Sequence, residues 1–265
     1  MRSASDLVAA PEERPPHIRV EGLTMAFGSR ALMERLTFTI RRGDVFVIMG
    51  GSGSGKSTLM RHLVGLHRPA TGTISLDSTS FWDADPTEQQ ALQRRFGIMY
   101  QQGALWTSMT LAENVALPIG TYTGLAPEPV AGLAEFKLAL VGLAGFGGYY
   151  PSEISGGMRK RAAIARAMAL DPEVLFLDEP SAGLDPISSR LLDDLILELR
   201  ASLGMTIVIV THELASIFAV GDNSVFLDPE TRTMIAHGHP RWLLEHAQDP
   251  KVRAFLTRGE PERAA

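Results

Sequence analysis

The sequence predicts an α/β core interrupted by an inserted helical segment. Three observations carry that reading. Asp44-Val-Phe-Val-Ile-Met49, Val174-Leu-Phe-Leu177 and Thr206-Ile-Val-Ile-Val210 are continuous apolar runs, the pattern of strands buried on both faces of a parallel sheet. Helical patterns follow the first two runs, so strand and helix alternate. Residues 101–170 break the alternation and read as mostly helical. The chain has 265 residues, which at about 150 residues per domain allows one to two domains. A chain of this length buries enough core to fold without disulfides.

Taken in order, residues 1–16 lack a signal peptide's apolar stretch and run into Pro11-Glu-Glu-Arg-Pro-Pro16, so they read as a mobile lead. From His17 to Ile40, short alternating strands flank a turn at Gly28-Ser29. After Gly55 a helix places Leu59, Leu63 and Leu66 on one face, with Arg61 and His62 off it. Thr73–Leu76 reads as strand, residues 88–95 as a polar helix and Gly97–Tyr100 as a short strand. Thr110-Leu-Ala-Glu113 is a capping box opening a helix that Pro118 and Gly120 are expected to end or kink. A second helix is expected over about 128–143, and a third from Ser155-Gly-Gly to Leu170. Asp185-Pro186 supplies a cap and a first-turn proline for a helix to Arg200. Residues 224–237 suggest two strands and 240–257 a helical tail. The expected organisation is a core of 17–100 and 171–237, a helical subdomain of 101–170 and a tail of 238–265. The most membrane-like stretch, Leu138 to Tyr150, is glycine-rich and too short to span a bilayer, so the chain is not expected to cross a membrane by itself.

Composition removes several function classes. There is no cysteine, so a disulfide scaffold, a thiolate metal site and a cysteine nucleophile are all excluded. The net charge of −5 argues against a generic nucleic-acid binder, whose affinity comes from excess basic charge.

The chemistry begins at Gly50-Gly-Ser-Gly-Ser-Gly55-Lys56-Ser57, which matches G-x-x-x-x-G-K-[ST] at every fixed position. A buried strand precedes it and an amphipathic helix follows. Gly50, Gly51, Ser52, Gly53, Ser54 and Gly55 would let backbone N–H groups approach phosphates, with Thr58 continuing the site into the helix. Lys56 would reach the β- and γ-phosphates, and the Ser57 hydroxyl would bind Mg²⁺. A second half-site is Asp178-Glu179 at the end of an apolar strand: Asp178 for the metal, Glu179 to polarise the attacking water. Alone, such a carboxylate pair is equally readable as a helix cap.

Together these residues resemble the ATP-binding-cassette (ABC) ATPases. Ile154-Ser155-Gly156-Gly157-Met158, ahead of Asp178, is similar to that family's signature loop. The resemblance implies the P-loop ABC fold, with an antiparallel β subdomain and an inserted helical subdomain. It implies that Ser155 to Met158 bind the γ-phosphate of ATP held by a second copy of the chain. By the same resemblance Gln101 is the Q-loop glutamine, which contacts Mg²⁺ and water. Ser181-Ala-Gly-Leu-Asp185 is the D-loop and His212 the switch histidine. Phe27 occupies the place of an aromatic that stacks on adenine, though an edge-strand phenylalanine reads as well as core. The stretch from Gln101 to Ser155 carries no sustained heptads, and there is one phosphate loop. Both points disfavour DNA-repair and translation ABC ATPases against a transport ATPase.

Within the transport class, Met158 at the fifth signature position and Gln101-Gln-Gly-Ala-Leu-Trp106 resemble the Mce/Mla-type lipid-transport ATPases, as does Asp249-Pro-Lys-Val-Arg-Ala-Phe255-Leu. That likeness implies a membrane permease, a periplasmic Mce-type lipid-binding subunit and a small cytoplasmic regulatory subunit as partners. It also implies peripheral attachment at the cytoplasmic face of an inner membrane. The alternative is the ATPase of a polar amino-acid or other small-solute importer. Trp106 and Met109 are candidates for the permease contact and equally for subdomain core.

Overall fold

The structure, a computed structural model, describes residues 14–28 and 30–258. The expected mobile lead therefore lies outside the described residues as far as residue 13, as does Ser29 of the expected turn. Arg14 is already tied down. Its Nη1 donates to the Gly43 carbonyl at 2.9 Å and to Asp44 at 3.1 Å.

The chain opens with β1 (Pro16–Phe27) and β2 (Arg30–Arg41), which pair antiparallel with Val20 opposite Phe38 and Leu23 opposite Leu36. Each is twelve residues long, so the strands expected to be short are not. Next come β3 (Val45–Gly50), α1 (Lys56–Leu63), β4 (Thr71–Leu76), β5 (Thr79–Ser80), α2 (Pro86–Arg94) and β6 (Phe96–Met99). Three helices follow: α3 (Leu111–Tyr122), α4 (Pro127–Leu140) and α5 (Gly156–Ala167). The chain then runs β7 (Val174–Asp178), α6 (Pro186–Leu203), β8 (Thr206–Val210) and α7 (Leu214–Val220). It closes with β9 (Asn223–Asp228), β10 (Thr233–Gly238), α8 (Pro240–His246) and α9 (Pro250–Leu256). One sheet is antiparallel, in the order β2-β1-β4-β5. The other, β10-β9-β3-β8-β7-β6, is parallel from β9 to β6.

The apolar runs are explained by burial on two sides. Phe46 and Ile48 join Ile18, Leu36, Leu59 and Leu63 in a core between the two sheets and α1. Val47 and Met49 face the other way, onto Phe226, Leu243 and Val252 beneath the tail helices. Leu175, Leu177, Ile207 and Ile209 pack on Leu111, Ile164 and Ile196. Each such side chain contributes roughly 1.5–3 kcal/mol by leaving water.

Three local expectations are corrected. The first concerns α1, which ends at Leu63 because Gly65 turns left-handed (φ 73°) under the Phe81 ring. Leu66 is therefore exposed, while His62 is buried with Nδ1 2.8 Å from the Thr58 carbonyl. The second concerns Pro118, which does not end its helix: α3 runs through it to Tyr122. Buried Leu111, Val115 and Ile119 offset the roughly 3 kcal/mol an interior proline costs. Thr121 and Thr123 hydroxyls donate to the Leu117 and Ile119 carbonyls of the last turn. The third is an omission: α7 has no counterpart among the expected elements. Among the described residues no helix is long and apolar enough to cross a membrane.

Candidate active site

The parallel strands β3, β6, β7 and β8 end at one edge of the sheet, where open α/β sheets place their ligand crevice. An open cleft of about 800 Å³ lies there. Its walls include Phe27, the whole loop from Gly50 to Gly55, Lys56, Ser57, Thr58, Gln101, Glu179 and His212. These residues come from widely separated parts of the chain, and the topology brings them together.

The loop is built as its glycines dictate. Gly50 has φ 147°, and a Cβ there would sit 2.5 Å from the Leu227 carbonyl oxygen, so no other residue fits. Gly55 stands at the N-cap of α1 in a left-handed conformation and offers no side chain to the helix. The first N–H groups of α1 thus have no side-chain cap, which leaves them for a ligand anion. Lys56 Nζ donates to the Gly50 and Gly51 carbonyls at 3.0 and 2.9 Å. Burial lowers its pKa, against the pull of the Glu179 and Asp178 charges. Ser52 and Gly53 are exposed, while Ser54 is buried and its Oγ has no partner among the described residues.

At the second half-site, Ser57 Oγ donates to Asp178 Oδ1 at 3.0 Å. Asp178 is buried and does not itself line the cleft. Burial raises its pKa, the Ser57 hydrogen bond opposes this, and the Glu179 charge adds to it. Glu179 follows in a left-handed backbone conformation (φ 48°). His212 Nδ1 lies 2.7 Å from its Oε1, and its Oε2 is buried without a partner among the described residues. A buried carboxylate oxygen with an open lone pair beside a phosphate loop is suited to accept a proton from water.

Ser155 caps α5, its Oγ accepting from the Met158 N–H at 3.2 Å, with Gly156 and Gly157 in the first turn. Met158 packs against the core. None of these four lines the cleft of its own chain. Asp185 caps α6 by accepting from the Ile187 and Ser188 N–H groups. The Ser188 hydroxyl holds its carboxyl below the usual range. Phe27 is 60% exposed at the cleft mouth, which rules out the core reading. Trp106 is also exposed, whereas Met109 is half-buried.

Three residues went unassigned in the sequence. Leu32 and Phe255 complete the cleft wall, Phe255 arriving from α9 and packing edge-on against Phe226 at 5.1 Å. Lys160 on α5 bonds to carbonyls of both Gln101 and Glu179. Nothing in local periodicity marks the contacts of any of the three.

A phosphate loop, a strand-end carboxylate pair and a histidine on this sheet define a nucleotide-binding cassette. Residues 33–182 match the family model described as ABC transporter. The chain is 37% identical over 229 residues to the intermembrane phospholipid transport ATP-binding protein MlaF of Escherichia coli K12, covering 86% of this chain and 84% of that one. It is 41% identical over 239 residues to a probable ribonucleotide transport ATP-binding protein, mkl, of Mycobacterium tuberculosis H37Rv. That match covers 90% of this chain and 66% of the longer relative. The fold is similar to that of the ATP-binding cassette MJ0796 in a dimeric post-hydrolysis state with ADP and phosphate. There the TM-score is 0.74 and the identity 29%, with 84% of this chain and 98% of that one covered. The chain belongs to the ABC transporter family, whose cassettes bind and hydrolyse ATP. Within it, the resemblance to Mla-type ATP-binding subunits read from the motifs is matched by the MlaF relatives.

Proposed function

We propose that this chain is the ATP-hydrolysing subunit of a transporter that moves phospholipid between inner and outer membranes. It would work through a separate permease and a periplasmic Mce-type lipid-binding partner. The observation that most supports the enzymatic part is the meeting of Lys56, the Ser57–Asp178 pair and the Glu179–His212 pair at one sheet edge. The lipid part draws its support from the MlaF relatives. Attachment to the cytoplasmic face of the inner membrane, and a small cytoplasmic regulatory subunit, belong to the same proposal.

In this reading two copies close head to tail on two ATP molecules. The loop N–H groups and Lys56 hold the phosphates. Ser57 and Asp178 present hard oxygen donors beside each other, and Gln101 also lines the cleft, a donor set that fits Mg²⁺. When bound, the ion neutralises phosphate charge. Glu179 Oε2 takes the proton of the attacking water while His212 steadies Oε1. Ser155, Gly156 and Gly157 of the second copy close the far side of the γ-phosphate, and the Asp185 loop meets the partner copy. Phe27 stacks on adenine. Tighter ATP binding to the closed pair is what moves the permease.

Glu179→Gln is expected to keep ATP binding and to lose turnover by about 10²–10⁴-fold. Light scattering should then show an ATP-dependent dimer, and monomer alone would count against the sandwich. The mycobacterial likeness favours a second reading, ribonucleotide transport. Reconstitution with the co-purified permease separates the two: ATP-dependent movement of labelled phospholipid is expected, and movement of labelled ribonucleotide instead would carry the alternative.

A further inference from the structure

Lys160 sits half-buried on α5, beyond the Ser155–Met158 loop. Its ammonium leaves the helix for two backbone carbonyls on two other elements. It donates to the Gln101 oxygen at 2.5 Å and to the Glu179 oxygen at 3.2 Å. Gln101 follows β6 and Glu179 follows β7, so one side chain fastens the signature helix to two of the loops that send a polar group into the cleft. The Glu179 backbone needs such a hold. At φ 48° a residue with a Cβ is in a sparsely populated conformation that persists only when its surroundings over-determine it. The Glu179 N–H donates to Val210 at 2.8 Å, and its carbonyl accepts from Ala182 at 3.2 Å and from Lys160. Further along α5, the Arg166 guanidinium donates to the carbonyl of Ala104, a second non-glycine residue with positive φ. The loop 101–104 is thus held to α5 at both ends. Charge-assisted hydrogen bonds from partly desolvated cations are among the stronger ones available to hold backbone in place.

We propose that Lys160 is a positioning residue for ATP hydrolysis. It sets the backbones of Gln101 and Glu179 against the signature helix, so that a shift of α5 reaches both groups together. The assignment rests on the ATPase reading above. It predicts an effect on turnover rather than on nucleotide binding, since Lys160 does not line the nucleotide cleft.

The test is steady-state ATP hydrolysis by the purified full chain, with Lys160→Met and Lys160→Arg beside Glu179→Gln. Lys160→Met removes the donor and keeps most of the side-chain volume. It should lower kcat about tenfold or more while KM for ATP stays within about twofold, the pattern of an interaction that matters in the transition state. Losing the bonds to two carbonyls should also lower its Tm, so the rates are read well below that Tm, and Lys160→Arg, which keeps a cationic multiple donor, should recover most of kcat. A wild-type kcat in Lys160→Met overturns the proposal. So does a loss accompanied by an equal rise in KM, or one that arginine fails to rescue. If Glu179→Gln is dead and Lys160→Met is normal, only the Lys160 assignment falls. If the wild type and Glu179→Gln show the same rate, the ATPase reading itself falls.

Discussion

Lys56 shows how much a single residue in this cleft is asked to do. Its ammonium is partly buried, its pKa lowered by that burial, and its partners are two carbonyls of its own loop. Those carbonyls hold the amine over the place where phosphates would sit. Lys56→Ala is therefore expected to weaken ATP affinity by about tenfold or more, as loss of a charge-assisted bond does, and to lower the rate as well. Titration calorimetry with ATP and Mg²⁺ checks the first part, and unchanged affinity would remove Lys56 from the site. Gly50 is the opposite kind of residue. It does nothing chemically, yet its conformation and its contact with Leu227 allow no side chain.

At the scale of elements, the helices around the sheet are held by packing and by a few buried polar contacts. The contact of α6 with α7 includes Asp193, whose carboxylate accepts from the Ser216 hydroxyl at 3.0 Å. Burial pushes the Asp193 pKa up to about 6, with the Ser216 bond opposing and the Asp194 charge adding. Its native pKa exceeds the ordinary 3.8, so the native state holds the proton longer than the unfolded chain does. Stability then falls as pH rises from about 4 to about 6 and is flat beyond. Asp193→Asn keeps a Ser216 partner without the charge. It should raise stability at pH 7–8 by on the order of 1–3 kcal/mol, seen as a higher Tm, and make no difference below about pH 4. Melts across that range check it. The α3 helix illustrates the same scale differently, since its tertiary contacts overrule Pro118.

For the whole molecule, the joint between the two sheets is electrostatic as well as apolar. At the sheet edge opposite the cleft, Arg42 and Arg95 reach Asp77 and Glu173 at 2.5 to 3.2 Å. Buried His17 lies 3.4 Å from Glu173 and bonds to Thr206. His17, Asp77 and Glu173 have ligand-type atoms close enough for a metal, but the two guanidiniums already supply the positive charge there. The Arg95 hydrogen bonds, against some burial, hold the Glu173 carboxyl down to about 2. Its native pKa is depressed, so its contribution is complete above the ordinary 4.5 and is lost as pH falls through about 2. The group is 40% exposed, and water screening limits the contribution to roughly 1 kcal/mol. Arg95→Met should lower Tm at pH 7, with the difference from wild type closing between about pH 4.5 and 2. Denaturation followed across that interval is the measurement, and a constant difference would discount the ion pair.

Much of this protein was legible in its sequence. The two-sided burial of Val45–Met49, Val174–Leu177 and Thr206–Val210 follows from continuous apolar runs. The caps at Thr110, Ser155 and Asp185 are local patterns, and local hydrogen bonds satisfy them. The phosphate loop is likewise local, because its chemistry needs consecutive N–H groups and a helix start. The type of most strands and helices, though not of α7, and the loop that opens the cleft were therefore determined by neighbours in the chain. Tertiary structure alone decided the rest. Leu32 and Phe255 reach the cleft, Phe27 is left out of the core, α3 survives its proline, and Lys160 ties Gln101 to Glu179. Each of these depends on contacts between residues far apart in the chain, and periodicity carries no record of which distant surface a side chain will meet.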